Sequence, residues 1–386
     1  MVVTEIDSRH VARHIVSMLT TRISRRHLLR SAALGGTGLA AAYLLGCSDG
    51  NGGNGGGATS TAPLPSPVSG TPAQPTTLQW TMVTPAGDAP SARRDHSLVS
   101  DGERLVLFGG RGSDPLADTW VDAIAPNSWG LVHTDIALPP PARFGHNAVW
   151  HGASARMIVF GGQADDGSFY NDLWAFDLAS GWSQLDTGSG PSQRYGAASA
   201  LDPEGRLVIT HGFTDQGRFD DTWRYDFSAQ AWEEISPAGE RPIERCLMRA
   251  VWTEVQDKHL LMFGGQTTST PFLDDLWALE EGRGWVPVER VPSPPARNLY
   301  SMVYDQANDK ITMFGGNTES GPVAELWWFD AADEFWANPP LLGPAPPARF
   351  GHDAAWVAPR SAMFVFGGND GSADLSELWV LGPAQA

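Results

Sequence analysis

Arginine and acidic residues recur in step along the last 309 residues, at intervals of about 50 residues. The arginines are Arg93, Arg143, Arg194, Arg245, Arg297 and Arg349. Each acidic residue stands two positions before a tryptophan, and the acids are Asp118, Asp172, Asp221, Asp275, Glu325 and Glu377. If the fold brings these six guanidiniums together, they would make an anion cage for a carboxylate, sulfate or acidic sugar. Alternatively, each arginine pairs with one of the six carboxylates and leaves no free charge, and the equal numbers favour this pairing.

Positions that differ between the repeats are better placed to read a specific ligand. A Gly-Gly pair follows each arginine, with His211-Gly212 in the third repeat, and the next residue varies. These variable residues are Arg111, Gln163, Phe213, Gln266, Asn317 and Asn369. Their amides, aromatic rings and extra arginine suit a polar or sugar-like ligand, the alternative being ordinary loops around a solvent-filled channel. We predict a ligand site from these six and from Arg143, Arg194, Arg245, Arg297 and Arg349.

A repeating unit of about 50 residues connects these positions. A short apolar run precedes each glycine pair and predicts one inner strand per repeat. A further tryptophan follows the acid-x-Trp motif by eight or nine residues, and both tryptophans are expected to fill the space between neighbouring sheets. The sixth repeat ends before its outer tryptophan, and Trp80 supplies it. The sequence therefore predicts a ring of six sheets closed by an N-terminal strand.

The repeat resembles the kelch repeat over the whole of residues 78–386. That resemblance implies an all-β, six-bladed β-propeller of the type seen in the central domain of galactose oxidase. The copper site of that enzyme is not matched here, and the loop at 266–273 lacks the iron ligands of plant specifier proteins. A cofactor-independent isomerase similar to sialic-acid mutarotases stays open as an alternative. We expect no cofactor and no metal site, a buried thiol at Cys246, and blade-packing roles for His96, His146 and His352.

Composition limits the partners. The net charge is −18, from 44 acidic and 26 basic residues, which argues against nucleic-acid binding because a phosphate backbone requires a basic surface. Two cysteines exclude a disulfide framework.

The first 77 residues are predicted to be an export signal followed by a tether. Arg25 and Arg26 before two leucines resemble a twin-arginine export signal, and the Leu-Leu-Gly-Cys stretch ending at Cys47 resembles a bacterial lipobox. Residues 48–77 contain 21 Gly, Ser, Thr or Pro in 30 positions, which predicts a disordered tether. We therefore expect a propeller outside the cytoplasmic membrane of a bacterial envelope, held by acyl chains alone. Its expected role is to bind or scaffold a protein or carbohydrate ligand.

Overall fold

Short strands are the main regular secondary structure of the described chain. The computed structural model describes residues 77–124, 128–132, 139–185, 188–253, 258–280, 282–289 and 292–384, within a compact unit that spans Pro72–Ala386. The predicted export signal at 1–47, with Arg25, Arg26 and Cys47, and the tether as far as residue 76 lie outside the described residues.

The strands form six antiparallel sheets, which we call blades 1 to 6 and describe from the axis outward. Blade 1 contains Ser97–Ser100, Arg104–Phe108, Thr119–Ala123 and Ser128–Leu131. Blade 2 contains Asn147–His151, Arg156–Phe160, Leu173–Asp177 and Gly181–Leu185. Blade 3 contains Ala198–Leu201, Leu207–Thr210, Thr222–Asp226 and Ala231–Glu234.

The second half of the ring repeats this pattern. Blade 4 contains Arg249–Trp252, Lys258–Gly265, Leu273–Glu280 and Gly284–Pro287. Blade 5 contains Ser301–Asp305, Lys310–Phe314, Leu326–Asp330 and Phe335–Ala337. Blade 6 contains Asp353–Val357, Ala362–Phe366, Leu378–Pro383 and Leu78–Val83.

Small elements complete the fold. Two-stranded hairpins pair Phe213–Thr214 with Gly217–Arg218 and Asn317–Thr318 with Gly321–Pro322. Single 3-10 turns span Gly152–Ser154 and Ala358–Arg360. The described part of the chain holds no helix with the length and apolarity that crossing a membrane requires.

The N-terminal strand closes the ring, as the sequence predicted. Leu78–Val83 pairs antiparallel with Leu378–Pro383 and places Trp80 opposite Leu381. The two-residue strand Leu341–Leu342 pairs with the outer edge of Leu78–Val83. The closing strand is thus hydrogen-bonded on both sides over its first two residues, which shields part of an edge that would otherwise be open to pairing.

The apolar runs before the glycine pairs are strands, and each is an inner strand of its blade, as the sequence predicted. In every blade such a run is second from the axis, and the innermost strand is the one that precedes it. The innermost strands of adjacent blades contact one another around the axis. The second strand is covered on both faces by neighbouring blades, so Leu105, Val106, Leu107 and Phe108 are all fully buried. That double burial explains why these runs are apolar without alternation.

The outer tryptophans join each blade to the preceding one. Trp182 of blade 2 lies 4.7 Å from Phe108 of blade 1, measured between ring centroids, and Trp80 of blade 6 lies 4.8 Å from Phe314 of blade 5. The equivalent contacts elsewhere are Trp129–Phe366, Trp232–Phe160 and Trp336–Phe263. Each partner ring lies on the second strand of its own blade, directly before the glycine pair, so one aromatic pair fills each of these interblade gaps.

Blade 3 departs from the repeat twice, and the two departures compensate. Its second strand ends at Thr210 where the others have phenylalanine, and His211 replaces the first glycine. The His211 ring packs edge-on against Trp285 of blade 4 at 6.0 Å. His211 adopts φ +59°, in the left-handed region that histidine tolerates better than most residues. The aromatic ring that packs against Trp285 of blade 4 is therefore supplied one position later in the chain than in the other blades.

The second glycine of each pair cannot be replaced in the same way. At Gly110, with φ +96°, a Cβ atom would lie 2.6 Å from the Cβ of His96. The innermost strand passes too close for any side chain. This contact explains why the second glycine is present in all six repeats.

Candidate functional site

Each repeated arginine lies buried inside its own blade. In blade 4, Arg245 donates from Nη1 to Asp275 Oδ1 at 2.6 Å and from Nη2 to Oδ2 at 2.7 Å. It also donates to the carbonyl oxygens of Gly264 and Ile243, at 3.1 Å each. Asp275 accepts a further bond at 2.7 Å from the indole N–H of Trp277. Arginine, glycine pair, acid and tryptophan thus form one hydrogen-bonded unit.

The same unit occurs in every blade. Its other ion pairs, with closest N–O distances of 2.5–2.7 Å, are Arg93–Asp118, Arg143–Asp172, Arg194–Asp221, Arg297–Glu325 and Arg349–Glu377. The motif tryptophan donates to the acid in all six blades and is half-buried in five. Its main polar role is therefore to hold the carboxylate, whereas the outer tryptophan carries the aromatic contact with the preceding blade.

Electrostatics favour the charged form of these pairs. Burial alone would raise the pKa of Asp275, but the hydrogen bonds and positive charge of Arg245 hold that pKa below its ordinary value. The same balance lowers the pKa of Asp118, Asp221, Glu325 and Glu377. The carboxylates consequently stay ionised and neutralise the arginines at neutral pH.

This geometry bears on the predicted ligand site. The structure places Arg143, Arg194, Arg245, Arg297 and Arg349 within their blades, with none of the side chain exposed. A ligand anion reaches such a guanidinium only by displacing its carboxylate, which is costly for a buried pair. The arrangement is the structural pairing, not the open anion cage.

A closed ring of backbone hydrogen bonds surrounds the axis. We call it the axial belt, formed by Asp95, Gly145, Gly196, Leu247, Leu299 and Gly351. Each belt N–H donates to the carbonyl of the belt residue in the preceding blade, at 2.7–3.0 Å, and the last bond joins blade 1 to blade 6. All six residues have φ between 54° and 64°. In each blade, this left-handed conformation turns the chain from the entry loop into the innermost strand.

The six variable residues lie together on one side of the belt. Each forms a two-bond antiparallel bridge with the residue that precedes a belt residue. The bridged pairs, which we call the mouth, are Arg94–Arg111, Phe144–Gln163, Tyr195–Phe213, Cys246–Gln266, Asn298–Asn317 and Phe350–Asn369. The six post-glycine side chains are all partly exposed. The structure therefore brings together the positions that the sequence singled out as differing between repeats.

Aromatic rings dominate one sector of the mouth. The Tyr195 ring lies between those of Phe144 and Phe213, with both centroid separations 5.6 Å. A Cβ atom at Gly145 would come within 1.8 Å of the Tyr195 ring, so glycine is required there. The Arg111 guanidinium lies over Phe144 at 4.9 Å and forms no ion pair among the described residues. This sector offers an available cation beside apolar surface.

The adjoining sector contains residues that the sequence analysis missed. Arg94 Nη1 donates to Asp374 Oδ1 at 2.6 Å, and Asn369 Nδ2 donates to the same oxygen at 2.7 Å. Burial raises the pKa of Asp95 to about 6, and the charge of Arg94 limits the rise. Arg94 follows the repeated Arg93 directly, so its position beside the arginine was the signal that could have identified it.

Other titratable groups of the core have packing roles. Cys246 is fully buried, and burial raises the pKa of its thiol. His96, His146 and His352 are also buried, and burial lowers their pKa, to about 3 for His146. These histidines are therefore neutral at physiological pH.

Two charged residues that the sequence analysis also missed face the axis on the other side of the belt from the mouth. Arg249 and Asp353 begin the innermost strands of blades 4 and 6, and their side chains lie 3.6 Å apart across the channel. Other blades carry Ser, Asn or Ala at this position. The variation between repeats was again the available signal.

Comparison with known proteins agrees with this architecture. The family described as the KLHDC2/KLHL20/DRC7 Kelch-repeats domain matches residues 71–256 and 248–386. Adagio-like protein 3 of Oryza sativa subsp. japonica is 28% identical over 331 residues, covering 79% of this chain and 50% of that protein. Kelch domain-containing protein 10 of Xenopus tropicalis is 27% identical over 329 residues, covering 77% of each.

A third relative is the leucine-zipper-like transcriptional regulator 1 homolog of Drosophila melanogaster, 26% identical over 317 residues. The chain spans about half the length of the rice protein and about a third of the fly protein. The fold, the repeated Arg–acid–Trp unit and the family match together define a kelch-repeat β-propeller. The chain belongs to the kelch-repeat family.

Proposed function

We propose that this propeller is a binding module that takes a protein partner at the mouth, with Arg111 as the main cationic contact. The observation that carries the proposal is the Arg111 guanidinium, which lies over Phe144 without an ion pair among the described residues. Stacking leaves its N–H groups available to an acidic side chain, while the neighbouring rings supply apolar contact. Kelch propellers generally mediate protein interactions, which supports a partner of this kind.

Site-specific photocrosslinking in cells tests the proposal. A photoreactive amino acid at Gln163, in the mouth, should give a discrete protein adduct. The same residue at Glu204 should give none, because Glu204 is 64% exposed in the loop at 203–206 on the opposite face. We expect Arg111→Glu to reduce the Gln163 adduct at least tenfold through charge repulsion.

Arg360→Glu is the matched control, since Arg360 is an exposed arginine in the 3-10 turn Ala358–Arg360 on the face away from the mouth. It should leave the adduct unchanged. An adduct of equal yield from both faces, or one indifferent to Arg111→Glu, would remove the mouth as the docking site. An adduct abolished by glycosidase treatment would assign the mouth to a carbohydrate.

We further propose that the propeller acts outside a bacterial cytoplasmic membrane, anchored by acyl chains on Cys47. Support comes from Arg25 and Arg26, from the Leu-Leu-Gly-Cys stretch and from the Gly/Ser/Thr/Pro-rich residues 48–77. The net charge of −18 opposes electrostatic adsorption to anionic lipid, so attachment would depend on the acyl chains.

Cys47→Ala should shift the protein from the membrane fraction to the soluble fraction, or leave it unprocessed. Membrane fractionation with blotting measures this, and Ser48→Ala at the next position is the control that should stay bound. Equal membrane retention of wild type and Cys47→Ala would refute acylation at this cysteine.

A further inference from the structure

A chamber occupies the propeller axis on the far side of the belt from the mouth. It has a volume of about 390 Å³ and is lined by residues from all six innermost strands. The belt residues precede the first residues of these strands by two positions, so the belt lies at the inner end of the chamber. Its volume lies within the range of sites for small organic molecules.

Polar side chains enter the inner end from alternate blades. The first residue of the innermost strand lines the chamber in blades 2, 4 and 6, where it is Asn147, Arg249 or Asp353. In blades 1, 3 and 5 the equivalent residues are small and buried, namely Ser97, Ala198 and Ser301. An amide, a guanidinium and a carboxylate therefore line the inner end of the chamber.

Arg249 and Asp353 are close without being bonded to each other. Arg249 Nη2 lies 3.6 Å from Asp353 Oδ1, which is longer than a hydrogen bond, and the side chains are 28% and 20% exposed. Arg249 Nε is buried and has no hydrogen-bond partner among the described residues. Asp353 Oδ2 accepts from the backbone N–H of Leu98 at 2.8 Å, which leaves Oδ1 toward Arg249. Both charges retain hydrogen-bonding capacity that a ligand can use.

Asn147 adds an oriented acceptor. Its Nδ2 donates to the carbonyl of Ala197 at 2.8 Å and to Ser199 Oγ at 3.3 Å. Because these bonds fix the amide orientation, Oδ1 is the atom left for the chamber. The inner end thus presents donors from one residue and acceptors from two.

The open end of the chamber is aromatic. Trp150, Trp252 and Trp356 occupy the fourth strand position in blades 2, 4 and 6, and Tyr304 occupies it in blade 5. All four side chains are partly buried. Indole and phenol rings at this depth provide stacking surface for an apolar group that extends from the polar inner end.

We propose that the chamber binds a small zwitterion of the α-amino-acid class with an aromatic side chain. The ligand carboxylate pairs with Arg249, its ammonium group with Asp353 Oδ1 and Asn147 Oδ1, and its side chain packs among Trp150, Trp252 and Trp356. A loosely associated pair of opposite charges matches a molecule that carries both charges on groups attached to the same carbon atom. The proposal is independent of the mouth, because the belt separates the two sites.

Isothermal titration calorimetry of the full chain with L-phenylalanine tests this assignment. Two analogues of the same ring are compared, 3-phenylpropionate without the ammonium and phenethylamine without the carboxylate. We expect L-phenylalanine to bind at least tenfold more tightly than either. Arg249→Gln and Asp353→Asn should each weaken it at least tenfold, and the exposed Arg360→Gln on the same face should leave affinity within twofold.

A soak of wild-type crystals with 4-bromo-L-phenylalanine keeps the test independent of variant stability. We expect bromine among the three tryptophans and the carboxylate within hydrogen-bonding distance of Arg249. Absence of saturable heat and of ordered bromine at millimolar ligand would overturn the site. Equal affinity of 3-phenylpropionate and L-phenylalanine would overturn the zwitterion assignment, as would unchanged binding by Arg249→Gln and Asp353→Asn.

Discussion

Arg245→Ala should lower the free energy of unfolding by roughly 2–4 kcal/mol. The substitution removes a fully buried guanidinium and leaves three acceptors without their donor, namely Asp275 and the carbonyls of Gly264 and Ile243. Asp275 is 38% exposed, so water hydrates part of the abandoned carboxylate and keeps the cost below the upper values for broken buried pairs. Denaturant unfolding of wild type and variant measures the difference.

Arg241→Ala is the matched control for a surface pair. Arg241 lies 2.9 Å from Asp220, with side chains 42% and 37% exposed, so its loss should cost less than about 1 kcal/mol. Equal destabilisation by the two variants would contradict a structural role specific to the buried pairs.

The cost of Arg245→Ala should also depend on pH. The folded-state pKa of Asp275 lies below its ordinary value of 3.8, so its charge contributes stability above that value and loses the contribution as pH falls through the folded pKa. The free-energy difference between wild type and variant should therefore shrink on acidification. A difference that grows below pH 4 would contradict the ion-pair account.

Trp80→Ala should destabilise the propeller by about 3–5 kcal/mol, because it removes a buried indole from the strand that closes blade 6. Trp80 is 1% exposed and packs against Phe314 of blade 5, next to Met363 and Leu381. Its loss leaves a cavity between blades 5 and 6 and weakens the hold on the closing strand. Chemical denaturation gives the magnitude.

Met82 lies two positions along the same strand and is 53% exposed, so Met82→Ala should change stability by less than about 0.5 kcal/mol. Deletion of residues 78–86 should have a larger effect than either substitution, since it exposes the edge of Leu378–Pro383 and promotes aggregation. A deletion variant that stays monomeric with wild-type melting would show that the ring does not depend on this strand.

Most of the features that could be predicted from the sequence were predicted from its six-fold repeat. A motif that occurs six times reveals its period, its missing last tryptophan and the equal numbers of arginines and acids without any knowledge of contacts. The closure by Trp80 and the pairing of Arg245 with Asp275 follow from that regularity, because a closed ring leaves neither an edge nor an uncompensated buried charge. The post-glycine residues were identified for the opposite reason, since they vary where the rest repeats.

Features that depend on which residues meet across blades required the tertiary structure. The compensation of Thr210 by His211 becomes visible only when Trp285 of the next blade is present. Arg249 and Asp353 stand 104 positions apart in sequence, and only closure of the ring brings their charges to 3.6 Å across the axis. Local sequence thus determined the blade and its internal ion pair, whereas the axis, which every blade shares, was decided by the assembly of all six.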